Sequence, residues 1–128
     1  MENEIQVLRE LDHPNIIAFD GLYETENLVY LITEYLDGGT LEDTLKVKMN
    51  LTGNLIQNIL YDLLSALCYL NRKNLMHRDL KPENIILRNE DRKWVLGDFG
   101  LVGQSNGDYL YDKCGTMGYI APEIMDLP

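Results

Sequence analysis

The residues best suited to chemistry lie in two short runs near the middle of the sequence. The first, residues 77–84, reads HRDLKPEN, and the second, residues 98–100, reads DFG. Asp79 in the first run is a carboxylate that could accept the proton of an attacking hydroxyl. Lys81, close behind it, could offset charge on a phosphoryl group in transfer.

A predicted hairpin brings the two runs together. The apolar runs 85–87 and 94–96 flank the polar stretch 89–93, which is typical of two strands and a turn. Because a hairpin returns the chain to its start, we expect Asn84 and Asp98 to lie close together. Magnesium takes oxygen ligands, few of them from protein and the rest from phosphate and water. The sequence therefore predicts a magnesium site beside Asp79 and Lys81, as phosphoryl transfer requires.

The remaining elements follow from apolar spacing. Ile5, Leu8 and Leu11 predict a helix over residues 2–11 that ends before His13-Pro14. A first hairpin is expected over 16–22 and 28–33, and a short helix over 41–45. Residues 100–118 are rich in Gly, Asp, Asn, Ser and Thr, which indicates a mobile loop.

Residues 54–72 give the strongest helix signal. Their apolar residues recur at a spacing close to 3.6 and form a wide stripe, so we expect a helix well buried in a larger core. Asp62, Ser65 and Arg72 are predicted on the opposite side of this helix.

Three motifs together resemble the eukaryotic protein kinases of Ser/Thr type. HRDLKPEN resembles their catalytic loop, DFG their magnesium-binding triplet, and residues 121–123, APE, the triplet that closes their activation segment. The resemblance implies an α+β, two-lobe kinase-like fold, of which residues 1–128 form a part. Residues 1–36 would be the end of the small lobe and the hinge, and residues 37–128 the large lobe from its start to the end of the activation segment.

The resemblance assigns roles at the phosphoryl-transfer site. Asp79 resembles the catalytic base, Lys81 the lysine that contacts the γ-phosphate, and Thr116 the threonine that braces both. Asn84 and Asp98 resemble the magnesium ligands. Lys81, by its spacing from Asp79, follows the Ser/Thr rather than the tyrosine kinase pattern.

The resemblance also assigns nucleotide-binding residues. Backbone groups of Glu34 and Leu36 would bond the adenine edge, and Thr33 falls at the gatekeeper position behind the purine. Glu4 matches the glutamate that pairs with a lysine of the third strand. His77 is expected to be a packed structural residue rather than a base.

The implied function is transfer of the γ-phosphoryl group of ATP, with Mg²⁺, to Ser or Thr of a protein. Residues 114–123 are reminiscent of calcium/calmodulin-dependent kinases. No G-x-G-x-x-G occurs, and the earliest lysine is Lys46. One alternative is therefore a pseudokinase-like scaffold that binds a partner protein. Another is a piece of a longer kinase, and we expect the 128 residues alone to be unstable or inactive.

Composition narrows the classes of partner. The net charge of −10 disfavours binding to nucleic acid and suits a basic protein substrate. No apolar stretch has the length of a membrane helix, and the N-terminus lacks the pattern of a signal peptide, so we expect a cytoplasmic or nuclear protein without a membrane partner. The sequence leaves the oligomeric state open.

Asp112 carries a prediction about activation. It lies just before Cys114-Gly115-Thr116, where many kinases carry an activating phosphothreonine, so its carboxylate could pair with Arg78 without phosphorylation. The alternative is a solvated loop acid. If Asp112 orders the segment, Asp112→Asn lowers the activity of the intact enzyme in a phosphorylation assay. Unchanged activity would rule the pairing out.

Overall fold

The computed structural model describes residues 2–47, 51–105 and 113–126. Its four α-helices are α1 (Glu2–Glu10), α2 (Leu41–Val47), α3 (Gly53–Arg72) and α4 (Pro122–Met125). Its six strands are β1 (Phe19–Glu24), β2 (Val29–Thr33), β3 (Leu75–Met76), β4 (Ile85–Arg88), β5 (Lys93–Leu96) and β6 (Gly103–Gln104). One turn of 3-10 helix, Pro82–Asn84, precedes β4. The mixture of helices and strands confirms the predicted α+β class.

Helix α1 buries one face and stops where the proline predicts. Leu8 and Leu11 are buried as expected, and Val7 joins them. The predicted helix over 41–45 is confirmed as α2. None of the helices in the described ranges is long and apolar enough to cross a membrane.

The first hairpin starts later than predicted. Strands β1 and β2 pair antiparallel, but β1 begins at Phe19 rather than at residue 16. Ile16 instead forms a parallel bridge with Leu96 of β5 and is almost fully buried. The apolar run therefore serves two sheets, because its first residues pair across the molecule and only its later ones continue into the hairpin.

Helix α3 is confirmed, but its buried face is not the predicted one. Asp62, expected on the solvent side, is only 3% exposed. Its carboxylate accepts the backbone N–H of Trp94 (2.9 Å) and faces the Lys93 ammonium (3.4 Å). A buried carboxylate is tolerated when it is hydrogen-bonded and paired. The side of α3 that carries Asp62 therefore faces β5 rather than solvent.

The rest of the apolar stripe on α3 has no cover within the described residues. Ile56, Leu60 and Leu64 are 41%, 51% and 56% exposed. Buried Ile59, by contrast, lies on the side that meets the core. The described residues thus supply only part of the larger core in which this helix is expected to be buried.

The second hairpin, β4–β5, is confirmed and lies at the centre of the fold. On one side, Leu96 accepts the N–H of Ile17 (3.0 Å) and donates to the carbonyl of Asn15 (2.9 Å). On the other, Leu87 accepts the N–H of Gly38 (2.8 Å) and donates to Gly39 (2.9 Å). Segments from both sides of the sequence are thus fixed to one hairpin.

The segment 100–118, expected to be a mobile loop, contains a short strand, and its residues 106–112 lie outside the described part of the chain. Gly103 and Gln104 form β6, which pairs antiparallel with β3. Val102, just before it, is buried in the core. Short strands with two pairs carry little sequence signal, which explains why composition alone indicated a loop.

Gly38 tests the contact between the central hairpin and the segment that precedes α2. A Cβ at Gly38 would lie 2.6 Å from the Leu87 Cβ, against the backbone pairing of the two residues. We expect Gly38→Ala to destabilise the protein by about 1–3 kcal/mol, as overpacking does. Urea unfolding measures this difference.

Gly53→Ala is the matched control. A Cβ at Gly53 meets nothing within 4 Å, and Gly53 is the first residue of α3. Alanine should leave stability unchanged or raise it slightly. Equal stability of the Gly38→Ala and Gly53→Ala proteins would contradict the proposed close contact.

Candidate active site

The loop that enters the candidate site is anchored by His77. Its Nε2 lies 2.7 Å from the Gly97 carbonyl, and its Nδ1 accepts the backbone N–H of Asp79 at 3.2 Å. The ring meets Phe99 edge-on, with centroids 4.9 Å apart. Burial lowers the pKa of His77, which outweighs the opposing hydrogen bond to Gly97. A neutral, fully engaged imidazole fits the expected structural role.

Arg78 has a left-handed backbone, with φ of 66°. Its Nε donates to the Leu101 carbonyl at 2.6 Å, and the guanidinium lies so close to Gly103 that a Cβ there would come within 2.8 Å of Nε. The arginine therefore ties the catalytic-loop candidate to the chain that leads into β6. Asp112, its predicted partner, lies outside the described residues.

Asp79 is the centre of a compact polar cluster. Its Oδ1 accepts the Thr116 hydroxyl at 2.5 Å, and its Oδ2 accepts the Asn84 amide at 3.1 Å and lies 3.3 Å from the Lys81 ammonium. Lys81 also donates to the Thr116 hydroxyl oxygen at 2.7 Å. Three side chains thus hold one carboxylate in a single orientation.

This cluster keeps Asp79 ionised. Burial raises the pKa of the Asp79 carboxyl, but the hydrogen bonds from Thr116, Lys81 and Asn84 together outweigh it and hold the pKa below its ordinary value. A carboxylate that stays charged at neutral pH is able to orient a hydroxyl and accept its proton.

The β4–β5 hairpin brings Asn84 and Asp98 to the same end, as the sequence predicts. The N–H of Gly97 donates to the Asn84 carbonyl at 2.9 Å, which closes the hairpin directly before Asp98. Asp98 itself is exposed and left-handed, with φ of 52°, and its Oδ1 accepts the Gly100 N–H at 3.2 Å. The backbone therefore sets both side chains at one edge.

The predicted adenine-binding residues lie directly after β2. The Glu34 N–H donates to the Ala18 carbonyl at 3.0 Å, while the Glu34 carbonyl accepts only a long contact from the Thr33 hydroxyl, at 3.3 Å. No hydrogen bond within the described ranges engages the backbone of Leu36. Within the described part of the chain, the Leu36 backbone and one side of the Glu34 carbonyl are therefore left for a ligand. The side chain of Glu4, the fourth predicted residue, lies outside the described part of the chain.

Comparison with known proteins identifies the family. The family model described as "Protein kinase domain" matches residues 1–127. The chain belongs to the protein kinase domain family. It is similar to calcium/calmodulin-dependent protein kinase type 1 of Macrobrachium nipponense, with 40% identity over 127 residues, 98% of this chain and 37% of that protein. It is also similar to calcium/calmodulin-dependent protein kinase type 1B of Homo sapiens, with 39% identity over 128 residues and the same coverage.

The kinase match covers nearly the whole chain but only part of each relative. The chain spans just over a third of the length of the curated relatives that it matches. The predicted membership of the Ser/Thr kinase group, with similarity to calcium/calmodulin-dependent kinases, is confirmed at the level of the domain.

The donor set at the hairpin end fits magnesium. Both hydrogen bonds made by the Asn84 amide are donated by its nitrogen, to the Asp79 carbonyl and Oδ2. Its side-chain oxygen is therefore left as a hard ligand, at the same hairpin end that carries Asp98. Among the described residues no three His, Cys, Asp or Glu side chains form a metal cluster. Two protein oxygens, with phosphate and water supplying the rest, are what Mg²⁺ takes in kinases.

Sequence reasoning assigned no role to Asn15, Asp62 or Arg88, although each holds the hairpin that carries the site. Asn15 donates its side-chain amide to the Trp94 carbonyl at 2.9 Å and is buried. Asp62 had one usable signal, since a lone acid with apolar Ile59 and Ala66 on its own helix face indicates a buried acceptor. The roles of Asn15 and Arg88 depend on contacts distant in sequence and leave no local pattern.

The Thr116 hydroxyl should set the pKa of Asp79. Thr116→Val removes a donor to the carboxylate, so the pKa of Asp79 should rise from its lowered position toward the ordinary value. Thr116→Ser keeps the donor and should leave the pKa low. Carboxyl carbon NMR titration of the intact protein measures both. An Asp79 pKa that is the same in the Val and Ser variants would contradict the contact.

Proposed function

We propose that the protein carrying this chain transfers the γ-phosphoryl group of ATP to serine or threonine hydroxyls of protein substrates. The observation that carries the proposal is the arrangement around Asp79, where Thr116, Lys81 and Asn84 fix one ionised carboxylate. What sets Asp79 apart is that its donors include Lys81 and Asn84, a cation and a candidate metal ligand.

The proposed role of Asp79 is to orient the acceptor hydroxyl and to take its proton. A carboxylate with a lowered pKa is a weak base, so the hydroxyl gives up its proton to Asp79 only once its oxygen begins to bond to the γ-phosphorus, which acidifies it. The bond from the γ-phosphorus to the β,γ-bridging oxygen breaks in the same step, and ADP leaves with that oxygen. Lys81, held by Thr116, is placed to offset charge on the phosphoryl group. Positioning and electrostatics account for most of the catalysis in this class.

Magnesium would be held by the Asn84 oxygen and the Asp98 carboxylate, and the adenine by backbone groups of Glu34 and Leu36. When bound, the metal neutralises phosphate charge and orients the γ-phosphoryl group. The chain's own contribution is to keep its two oxygen ligands at one hairpin end through the Gly97–Asn84 hydrogen bond.

The preferred substrate is a basic peptide. The described chain is rich in acidic residues, the net charge of the sequence is −10, and such a surface attracts Lys- and Arg-bearing segments. The spacing of Lys81 from Asp79, which resembles the Ser/Thr kinase pattern, supports Ser or Thr over Tyr as the acceptor.

A scaffold without catalysis is the second candidate. The observation in its favour is the uncovered apolar stripe of Ile56, Leu60 and Leu64, since contiguous exposed apolar surface marks a contact with another chain or segment. The two candidates differ in turnover. A phosphorylation assay of the intact protein and of one variant at Asp79 tests the difference.

Asp79→Asn should lower kcat of the intact protein by about 10²–10⁴-fold, the usual contribution of a general base, while affinity for Mg²⁺-ATP stays within the range of the wild type. Transfer of radiolabelled phosphate to basic Ser and Tyr peptides measures kcat, and calorimetry measures nucleotide affinity. Asp20→Asn, an exposed acid on β1, is the control and should keep full activity.

Three outcomes separate the candidates. Label on the Ser peptide alone, lost in Asp79→Asn, supports the proposal. Label on the Tyr peptide instead contradicts the acceptor assignment. An intact protein that transfers no phosphate supports the scaffold and overturns the kinase proposal for this chain.

A further inference from the structure

Arg88, the last residue of β4, uses every nitrogen of its guanidinium. Its Nε and one terminal nitrogen grip the two carboxylate oxygens of Glu34 at 2.9 Å and 2.7 Å. The other terminal nitrogen donates to the Pro14 carbonyl at 3.0 Å and to Asp91 Oδ2 at 3.2 Å. One side chain therefore joins three segments that are far apart in sequence.

The carboxylate of Glu34 completes the junction. Its Oε1 also accepts the backbone N–H of Ala18 at 2.9 Å, and the Glu34 N–H donates back to the Ala18 carbonyl at 3.0 Å. Glu34 is thus held at both its backbone and its side chain, directly after β2.

The Arg88–Glu34 pair is shielded enough to matter. The two side chains are 16% and 20% exposed, and the contact is a two-pronged one, which is the strong geometry for arginine and carboxylate. Burial raises the pKa of Glu34, but the bonds from Arg88 and Ala18 outweigh it and keep the pKa low. By contrast, the ion pair of Lys46 with Glu42 lies largely in solvent, where such pairs contribute little.

The positions of the two partners connect the ends of the nucleotide site. Glu34 is one of the two residues whose backbone groups are proposed to bond the adenine edge. Arg88 is the last residue of β4, and Asn84, the proposed magnesium ligand, directly precedes the first residue of that strand. A fixed link between Glu34 and Arg88 therefore sets the distance from the adenine-binding segment to the metal-binding end of the hairpin.

We propose that Arg88 is a positioning residue for nucleotide, which sets the orientation of the Glu34 backbone relative to the Asn84–Asp98 metal site. The inference rests on the proposed function, since it concerns the same ATP site. In this proposal Arg88 acts through Glu34 and the backbone at Pro14, without a direct contact to nucleotide or metal.

Substitution of Arg88 should change nucleotide binding more than turnover. In the intact protein, Arg88→Gln should raise KM for ATP and Kd for Mg²⁺-ADP by about fivefold or more, the lower end of typical coupling between sites, with kcat within about twofold of the wild type. Arg88→Lys keeps the charge but loses the two-pronged contact, so it should give an intermediate value. This variant also serves if Arg88→Gln does not fold.

Arg92→Gln is the matched control. Arg92 lies in the same β4–β5 turn, is exposed, and among the described residues donates only to the Asn89 side chain, at 3.1 Å. Its nucleotide constants should equal those of the wild type. Glu34→Gln, combined with Arg88→Gln, completes a cycle: if both act through one contact, the double variant should be little worse than either single one.

The result is decided by calorimetry with Mg²⁺-ADP and by steady-state kinetics with ATP. Raised Kd and KM at constant kcat, with a non-additive cycle, support the proposal. If Arg88→Gln and Arg88→Lys both bind Mg²⁺-ADP with the same Kd as Arg92→Gln, the positioning role is overturned. A lowered melting temperature in those two variants would then show that the ion pair is purely structural. These outcomes presuppose a wild type that binds Mg²⁺-ADP and turns over. A wild type that does neither refutes the proposed function itself.

Discussion

The hydrogen bond from the Gly97 amide to the Asn84 carbonyl is the contact on which the site depends. It closes the β4–β5 hairpin at the end where a carboxamide and a carboxylate must meet. Everything around the hairpin holds this closure in place. The Asn15 side chain donates to the Trp94 carbonyl, and the Asp62 carboxylate on α3 accepts the Trp94 N–H. The His77 Nε2 bonds the carbonyl of Gly97.

The β4–β5 hairpin is therefore not an isolated two-stranded sheet, because other segments pair with both of its strands. Two strands with no further partners are only marginally stable in water. Here the segment before β1 and the segment before α2 extend the pairing on opposite sides, through Ile17 and Gly38. Core residues such as Val95 and Leu96 are almost fully buried as a result. Stability of the core and geometry of the site have the same origin.

The sequence carried most of the local structure and the identities of the site residues. The runs around Asp79 and Asp98 and the apolar spacing of α3 were readable because their signals are contained within short windows. The orientation of α3 could not be predicted in this way. Asp62 is buried because it accepts the backbone N–H of Trp94 on β5, a contact that the residue spacing within the helix does not indicate. The start of β1 was misplaced for a similar reason, since Ile16 pairs with distant Leu96. The catalytic roles of Asp79, Lys81 and Thr116 stay predictions.

The left-handed backbone of Asp98 has a consequence for how this chain can change. Aspartate adopts this conformation more readily than most residues because its short side chain can bond the local backbone, and here the Asp98 Oδ1 accepts the Gly100 N–H. One carboxylate oxygen thus stabilises the backbone angle of its own residue, which helps to hold the turn after β5. A substitution at Asp98 therefore alters the backbone at the end of the hairpin together with the candidate metal ligand.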